Sequence, residues 1–598
     1  MKKKISRIIV ILLIMSGMFA CSDYLKEEVI SSVGYSYYNT LQGVEAGIGA
    51  VYESLRWAYI GENLHPIQEL GTDTYMEGQD GDLKAAFNRY ETSLNSSQST
   101  LNNFWTNYYQ GISRANIVLD AIPNVREMSE TLKTTRTGEV RFLRGLYYFY
   151  LVQTFGKVPL VSDANFEVKT DFKRASVSDI YNFIINDLRY ASDNLPETQN
   201  DYGRATKGAA MHLISLVYLT RGSAVTDQRG QKPTDLDSAA YYADQVIQSN
   251  RYELVDDFKQ LWHIDNQRNN EIIFAVQFSS NLLYNNNSSN KLHLYYVMVY
   301  DESPGMLRDI ENGRPWRRVR PTDWTLYDLY DRKNDARYYK TFKTVWYCNN
   351  PNNIQNWQIV YDRNGSVIYS PPADLIGKPK MVVGDTAIWV TLDRFPTGTN
   401  LDSVYASRPY DYYPRERQTN AKFPQNIKFY DNKRQSVAEE NGSRDWYLFR
   451  LGETYLIAAE AYGRKGEYAK AVERLNIIRK RASFKEGEAK PGEFLSIENG
   501  SVDDFYSSTE EAMMLTEEVI RTDFVNFMLD ERARELHGEC IRKWDLMRAE
   551  KLIERVKAYN PEAQNIRDFH KLFPIPQNHI DRLDPKGAIE EEQNEWYY

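Results

Sequence analysis

Apolar residues recur at helical spacing through two long parts of the chain and lose that spacing between them. Over 104–122 the set is Trp105, Tyr108, Ile112, Ala115, Leu119 and Ile122, and Pro123 ends it. Intervals of three and four residues place these side chains on one helix face. From Arg141 to Phe155 the chain is apolar nearly all round, which predicts a buried helix. Ala210, Leu213, Ile214 and Val217 form a third stripe, and Ala239, Tyr242, Ala243, Val246 and Ile247 form its partner. Residues 207–248 therefore read as a helix pair whose loop is lengthened by 222–236. A second pair is expected over 451–482, with Tyr455, Ala458, Ala459 and Tyr462 facing Tyr468, Ala471, Leu475 and Ile478. Alanine where two helices cross lets their backbones approach closely. Both pairs have a tetratricopeptide character, without a strict tandem array of ~34-residue repeats. A last long helix is expected over about 518–550, with Val525, Met528, Leu529, Leu536, Cys540 and Trp544 on one face.

Residues 262–445 follow another pattern: Asn, Pro, Gly and Asp clusters, few periodic runs and many aromatics. Residues 270–279 and 386–392 have the composition of short strands; the rest reads as loop. Long loops inside a large domain are usually functional or disordered, and the Trp and Tyr content argues against disorder.

Composition narrows the function. The chain has 598 residues, 73 basic against 82 acidic, with a net charge of -9 and no basic stripe, so nucleic acid is a poor partner. Aromatics are abundant, with 44 Tyr, 24 Phe and 11 Trp; Tyr and Trp combine a flat apolar face with a polar handle and suit surfaces that meet polar ligands. Three cysteines exclude a disulfide framework. Cys540 lies in an amphipathic pattern, where a small buried hydrophobe is expected.

The first residues carry an export signal. Lys2, Lys3, Lys4 and Arg7 precede an apolar run from Ile8 to Met15, small residues follow, and the chain turns polar directly after Cys21. The run is shorter than the ~20 residues a membrane span needs. Met18-Phe19-Ala20-Cys21 resembles a loose lipobox, with Met where Leu is usual. The expectation is a lipoprotein signal over 1–20 and lipidation of Cys21.

Four further segments carry a family resemblance: "FWTNYYQGISRANIVLDAI" (104–122), "RFLRGLYYFYLVQTFGKVPLV" (141–161), "WYLFRLGETYLIAAEAYGRKGEYAKAVERLNIIRKRA" (446–482) and "FMLDERARELHGECIRKWDLMRAEKL" (527–552). With the ending "LFPIPQNHID" (572–581), they resemble the SusD/RagB-like outer-membrane lipoproteins, in the same order along most of the chain. The resemblance implies a mainly α fold: a tetratricopeptide-like helical-pair scaffold with a large loop-rich irregular ligand-binding part. It implies a lipidated tether over 21–39 and a single domain over 40–598, with scaffold at about 40–260 and 445–598 and ligand-binding loops at about 60–100 and 262–445. It further implies a lipid-anchored protein of the outer-membrane cell surface, a SusC-like TonB-dependent transporter as partner, and non-catalytic binding of an oligosaccharide. Peptide cargo, as in RagB-like members, is the alternative, and a surface glycoside hydrolase is another.

Sugars are held by aromatic faces and by paired hydrogen-bonding side chains. Residues 57–90 offer both, in Trp57, Tyr59, Asp73, Tyr75, Asn88, Arg89 and Tyr90; in the resembled family the loop ahead of the first conserved helix commonly contributes to the site. Residues 281–324 offer Tyr284, Asn286, Tyr295, Trp316 and Trp324, with Trp316 set among arginines that can stack on it. No cofactor motif or clear metal motif is present, although acidic loops such as Asp73–Asp82 could hold Ca2+. No nucleotide-binding or nucleophile motif is present. Glu531, Arg532 and Glu535, and Arg450, Glu453 and Glu460, read as structural ion pairs on helices. A glycosidase carboxylate pair at ~5–9 Å is not decided by sequence.

Overall fold

The computed structural model describes residues 35–164, 169–285, 289–392, 394–485, 488 and 510–597. The signal, Cys21 and Asn286 lie outside the described residues. Eight helices make the scaffold: α1 (Leu41–Tyr59), α2 (Ser99–Ala121), α3 (Glu130–Phe155), α4 (Val177–Asn194), α5 (Lys207–Gly222), α6 (Asp235–Gln248), α7 (Leu451–Arg464) and α8 (Tyr468–Ala482). Their starts follow local chemistry. Thr40, Ser129, Ser176 and Thr206 each accept a first-turn N–H through the side-chain oxygen. α3 ends at Gly156 with φ 70°, a conformation open to glycine.

Each of these helices packs on the next one in order, from α1 to α8. α3 is the most enclosed: Phe142, Leu143, Leu146, Tyr147, Tyr148 and Leu151 are all buried. Ala458, Ala459 and Ala461 of α7 are fully buried between α6 and α8, as small residues at crossings require. α6 and α7 touch although some two hundred residues separate them in sequence. The loop-rich part is thus an insertion between two adjacent helices.

Seven short strands matter to the insertion: β1 (Tyr75–Glu77), β2 (Ile272–Val276), β3 (Val319–Pro321), β4 (Val345–Tyr347), β5 (Thr386–Val390), β6 (Asp411–Tyr413) and β7 (Trp446–Arg450). β2 and β7 pair antiparallel and close the base of the insertion. β1 pairs antiparallel with β3, Tyr75 opposite Pro321. β5 lies between antiparallel β4 and parallel β6. The strands expected at 270–279 and 386–392 are β2 and β5; β1 and β3 fall where loop was expected.

The long helix expected over 518–550 is broken. α9 (Phe524–Glu535) and α10 (Arg542–Arg548) are separated by a turn containing Gly538 at φ 75° and Cys540 at φ 60°. At Gly538 a side chain would meet Asn426, Phe429 and Tyr296 at 2.9–3.1 Å. The Cys540 N–H donates to the buried Glu69 carboxylate at 2.7 Å instead of to a helical carbonyl. Tertiary contacts therefore override the apolar period. Cys540 and Cys348 are buried free thiols.

Buried ion pairs fasten the insertion to the scaffold. Arg337 of the insertion meets Glu531 at 2.9 Å and Glu535 at 3.0 Å on α9. Arg450 meets Glu535 at 2.7 Å and Glu271 at 3.0 Å. Lys428 meets Glu539 at 2.6 Å; within the helical part itself, Arg548 of α10 meets Glu460 of α7 at 2.6 Å. The carboxylates singled out on α7 and α9 are thus partners of buried arginines. Burial alone would raise Glu535, but Arg481, Arg450 and Arg337 hold it at about 2.

Candidate functional site

The β1–β3 pairing joins the two aromatic-rich segments of the sequence on one surface. A bridge between Ile60 and Asn290 joins them a second time. The backbone N–H groups of Gly78 and Asp80 donate to the carbonyls of Arg318 and Arg317 at 3.0 and 3.1 Å. This sets residues 60–80 against Trp316, Arg317 and Arg318.

Trp316 is half-buried at the centre. One side packs on Tyr295 with ring centroids 5.8 Å apart, and the Arg318 guanidinium lies 5.1 Å from the indole. Arg318 pairs with Glu62, and Arg317 with Asp80. Below them lies a cavity of about 20 Å³ lined by Glu62, His65, Asp80, Tyr295 and Arg318, room for about one water. The buried Tyr295 hydroxyl has no hydrogen-bond partner in the protein. The site thus offers an indole face and two salt-bridged carboxylates, with a buried unpartnered phenol beneath them.

C-terminal residues brace the two strands. Glu562 accepts the Glu77 N–H at 3.1 Å and Asn88 Nδ2 at 2.9 Å, and pairs with Arg320 at 3.1 Å. Arg89, part-exposed, pairs with Glu77 at 3.2 Å. A second part of the surface centres on Arg56, which donates to the carbonyls of Gln277 and Tyr284. Tyr284 is 69% exposed. Trp57 is half-buried, its ring edge-on to Phe104 at 6.0 Å and Tyr108 at 6.1 Å. Arg56 also lines a cleft of about 280 Å³ with Tyr52, Glu53, Tyr202, Arg204 and Gln277. Glu53 is raised by burial, with Arg56 and Arg114 opposing.

Of the expected ligand residues, Trp57, Arg89, Tyr284 and Trp316 reach solvent in this structure. The others that the structure describes are core. Tyr59 stacks on Trp446 at 4.9 Å, and Tyr75 stacks on His537 at 4.6 Å while its hydroxyl accepts from Asn426. Asp73 pairs with Arg542 and Arg555, both at 2.6 Å. Burial alone would raise its carboxyl; the two guanidinium groups bring it down to about 2. Asn88 is fully enclosed. Tyr90 donates its hydroxyl to the Gly71 carbonyl at 2.8 Å. Tyr295 supports Trp316 from beneath. Trp324 stacks on Tyr559 at 4.6 Å with Arg555 over its face at 4.8 Å. The aromatic–polar composition that marks a sugar site also marks a polar core, which is why sequence alone selected these side chains. Arg56, Glu62 and Gln277 carried no sequence signal; pairing of distant segments brings them in. Among the described residues no group of three or more His, Cys, Asp or Glu is arranged to hold a metal, and no helix is long and apolar enough to cross a membrane.

Two family models match the chain: "Starch-binding associating with outer membrane" over residues 68–219 and "SusD family" over residues 270–597. A SusD-like protein of Bacteroides ovatus is 29% identical over 267 residues, covering 43% of this chain and 47% of that one. The starch-binding protein SusD of Bacteroides thetaiotaomicron is 31% identical over 193 residues, covering 31% of this chain and 33% of its own length. The chain thus aligns with half or less of these relatives. A laminarin-binding SusD-like protein of known structure superposes with a TM-score of 0.62 at 22% identity, over 93% of this chain and all of that one.

Proposed function

Since the chain belongs to the SusD family, we propose that it is a glycan-binding protein of the outer-membrane surface that captures oligosaccharides without cleaving them. The observation that carries this reading is the Trp316 surface: an indole held between Tyr295 and Arg318, bordered by hydrogen-bonding groups on two joined segments. A pyranose presents an apolar C–H face to such a ring and hydroxyls to its polar rim. Trp57 and Tyr284 extend the stacking surface, and the cleft beside Arg56 has room for a further sugar unit. Glu62 and Asp80 each engage one carboxylate oxygen in an arginine ion pair, a structural role that supports binding over hydrolysis. In this proposal lipid on Cys21 holds the protein to the membrane, and the bound sugar passes to a SusC-like TonB-dependent transporter.

Calorimetric titration of the chain without residues 1–21 against neutral and charged oligosaccharides and peptides tests the reading. Binding of a glycan that is recovered intact, and is weakened by Trp316→Ala, is expected. Cleaved sugar, or a peptide as the sole ligand, refutes it.

A further inference from the structure

The arginines near Trp316 are neutralised. Arg317 pairs with Asp80, Arg318 with Glu62, Arg314 with Glu440 at 2.7 Å and Arg320 with Glu562 at 3.1 Å. The surroundings of β6 differ. Lys380, Arg408, Arg415, Arg417 and Lys422 are all half-buried there, and none makes an ion pair among the described residues. Each stands over an aromatic ring instead: Lys380 4.9 Å from Trp357, Arg408 5.5 Å from Tyr412, Arg415 3.5 Å from Tyr327, Lys422 5.5 Å from Tyr413, and Arg417 4.5 Å from Tyr405 and 4.6 Å from Tyr413.

These cations are connected. The Lys380 ammonium donates to the Arg408 carbonyl at 3.5 Å, and Arg417 donates to the Tyr412 carbonyl at 2.8 Å. The acids around them are Asp411, Glu416 and, acting on Lys422, Glu302 and Asp301; Asp301 already pairs with Arg308 at 2.7 Å, Glu416 accepts the Phe395 N–H at 3.3 Å, and the Lys422 ammonium donates to Ser303 Oγ at 2.8 Å. Burial pulls Lys380 and Lys422 down, with Asp411 opposing in both. In a chain with more acidic than basic residues, a cluster of cations that make no ion pair among the described residues is not a consequence of average composition. Beside it, Trp389 is half-buried with Tyr410 at 5.7 Å and Tyr412 at 5.9 Å. Neither the Trp389 indole N–H nor the Arg408 Nε has a protein partner.

We propose that the end of the sheet around β6 is a subsite for an acidic sugar, whose carboxylate or sulfate is held by Arg408, Arg417, Lys380 and Lys422 while a ring rests against Trp389 and Tyr410. Stacking on tyrosine fixes each guanidinium plane and leaves N–H edges for a bidentate acceptor. The ligand supplies the direct ion-pair partner that these cations lack among the described residues. The inference rests on the glycan-binding reading and narrows it to anionic glycans.

Three hexasaccharides test it: oligogalacturonate for carboxylate, an ι-carrageenan fragment for sulfate, and maltohexaose as neutral control, with an oligo-aspartate peptide alongside. At least one charged sugar is expected to bind more tightly than maltohexaose, with affinity that falls as salt rises. The Arg408→Gln/Arg417→Gln pair is expected to weaken it by about tenfold per arginine without moving the melting temperature. Arg408→Lys/Arg417→Lys should recover part of that loss. The tighter of the two charged sugars identifies the acid group. Charged sugars binding no better than maltohexaose, undiminished binding by the Gln pair, or tighter binding of the peptide each overturn the assignment. Neutral binding alone leaves the glycan-binding reading standing; binding of none of the four overturns the acidic subsite, and the wider titration above then decides the broader reading.

Discussion

Asp73→Asn separates a ligand residue from a structural one. Asp73 is 0% exposed and pairs with both Arg542 and Arg555. Its carboxyl is held at about 2, below the ordinary aspartate value of 3.8. At about 1.4 kcal/mol per pKa unit, that difference corresponds to about 2 kcal/mol of stability. The folded pKa is depressed, so this contribution is complete above the unfolded value near 4 and is lost as pH falls through about 2. Asparagine also leaves two buried guanidinium groups short of charge, and breaking a buried pair costs about 3–5 kcal/mol. Arg555 keeps Asp530 at 2.6 Å, and Arg542 keeps the Leu529 carbonyl at 2.7 Å, which favours the lower end. The expected loss is about 3 kcal/mol at pH 7, shrinking toward pH 2. Urea unfolding followed by circular dichroism at several pH values measures it, beside a glycan titration. A variant of unchanged stability and lost glycan affinity would refute the burial argument and return Asp73 to the ligand surface.

Trp316→Ala should weaken glycan binding by roughly five- to tenfold, since one aromatic contact contributes about 1 kcal/mol, with little change in melting; equal affinity by calorimetry would move the site elsewhere. Gly463→Ala should lower stability by about 1 kcal/mol, because a Cβ would sit 1.9 Å from the Phe524 ring, and overpacking outweighs the helix propensity gained; a raised melting temperature would contradict the close approach. Lys543 is fully buried between Tyr90 and Phe573 without a hydrogen bond, and burial lowers it to about 7. Its folded pKa lies below the unfolded one, so the cost of the ammonium is greatest at low pH. Lys543→Met should therefore stabilise the protein more at pH 6 than at pH 9, by about 3 kcal/mol, as thermal scans at both values would read.

Helices within the scaffold were legible because each stripe has a local cause. Apolar residues at three- and four-residue intervals bury one face whatever partner arrives, and the helix pairs at 207–248 and 451–482 end within a residue or two of where loop chemistry stops them. The break at Gly538–Cys540 was not legible, since Leu536, Cys540 and Trp544 keep a helical period and only the approach of Glu69, Phe429 and Tyr296 forces the turn. Residue type selected Trp316 and Trp57, which reach solvent, and equally Asp73, Tyr75 and Trp324, whose aromatic and charged groups satisfy one another in the core.

By itself the sequence determined the helical scaffold, the acidic balance and the family motifs, because spacing, composition and motif order are local or one-dimensional properties. Tertiary structure alone decided which aromatics face solvent and which arginines carry a counter-ion. Both depend on segments far apart in sequence: Asp73 meets Arg542, Arg318 meets Glu62, and the cations around β6 make no ion pair among the described residues. Burial and charge pairing are properties of neighbours in space, and neighbours exist only once the chain has folded.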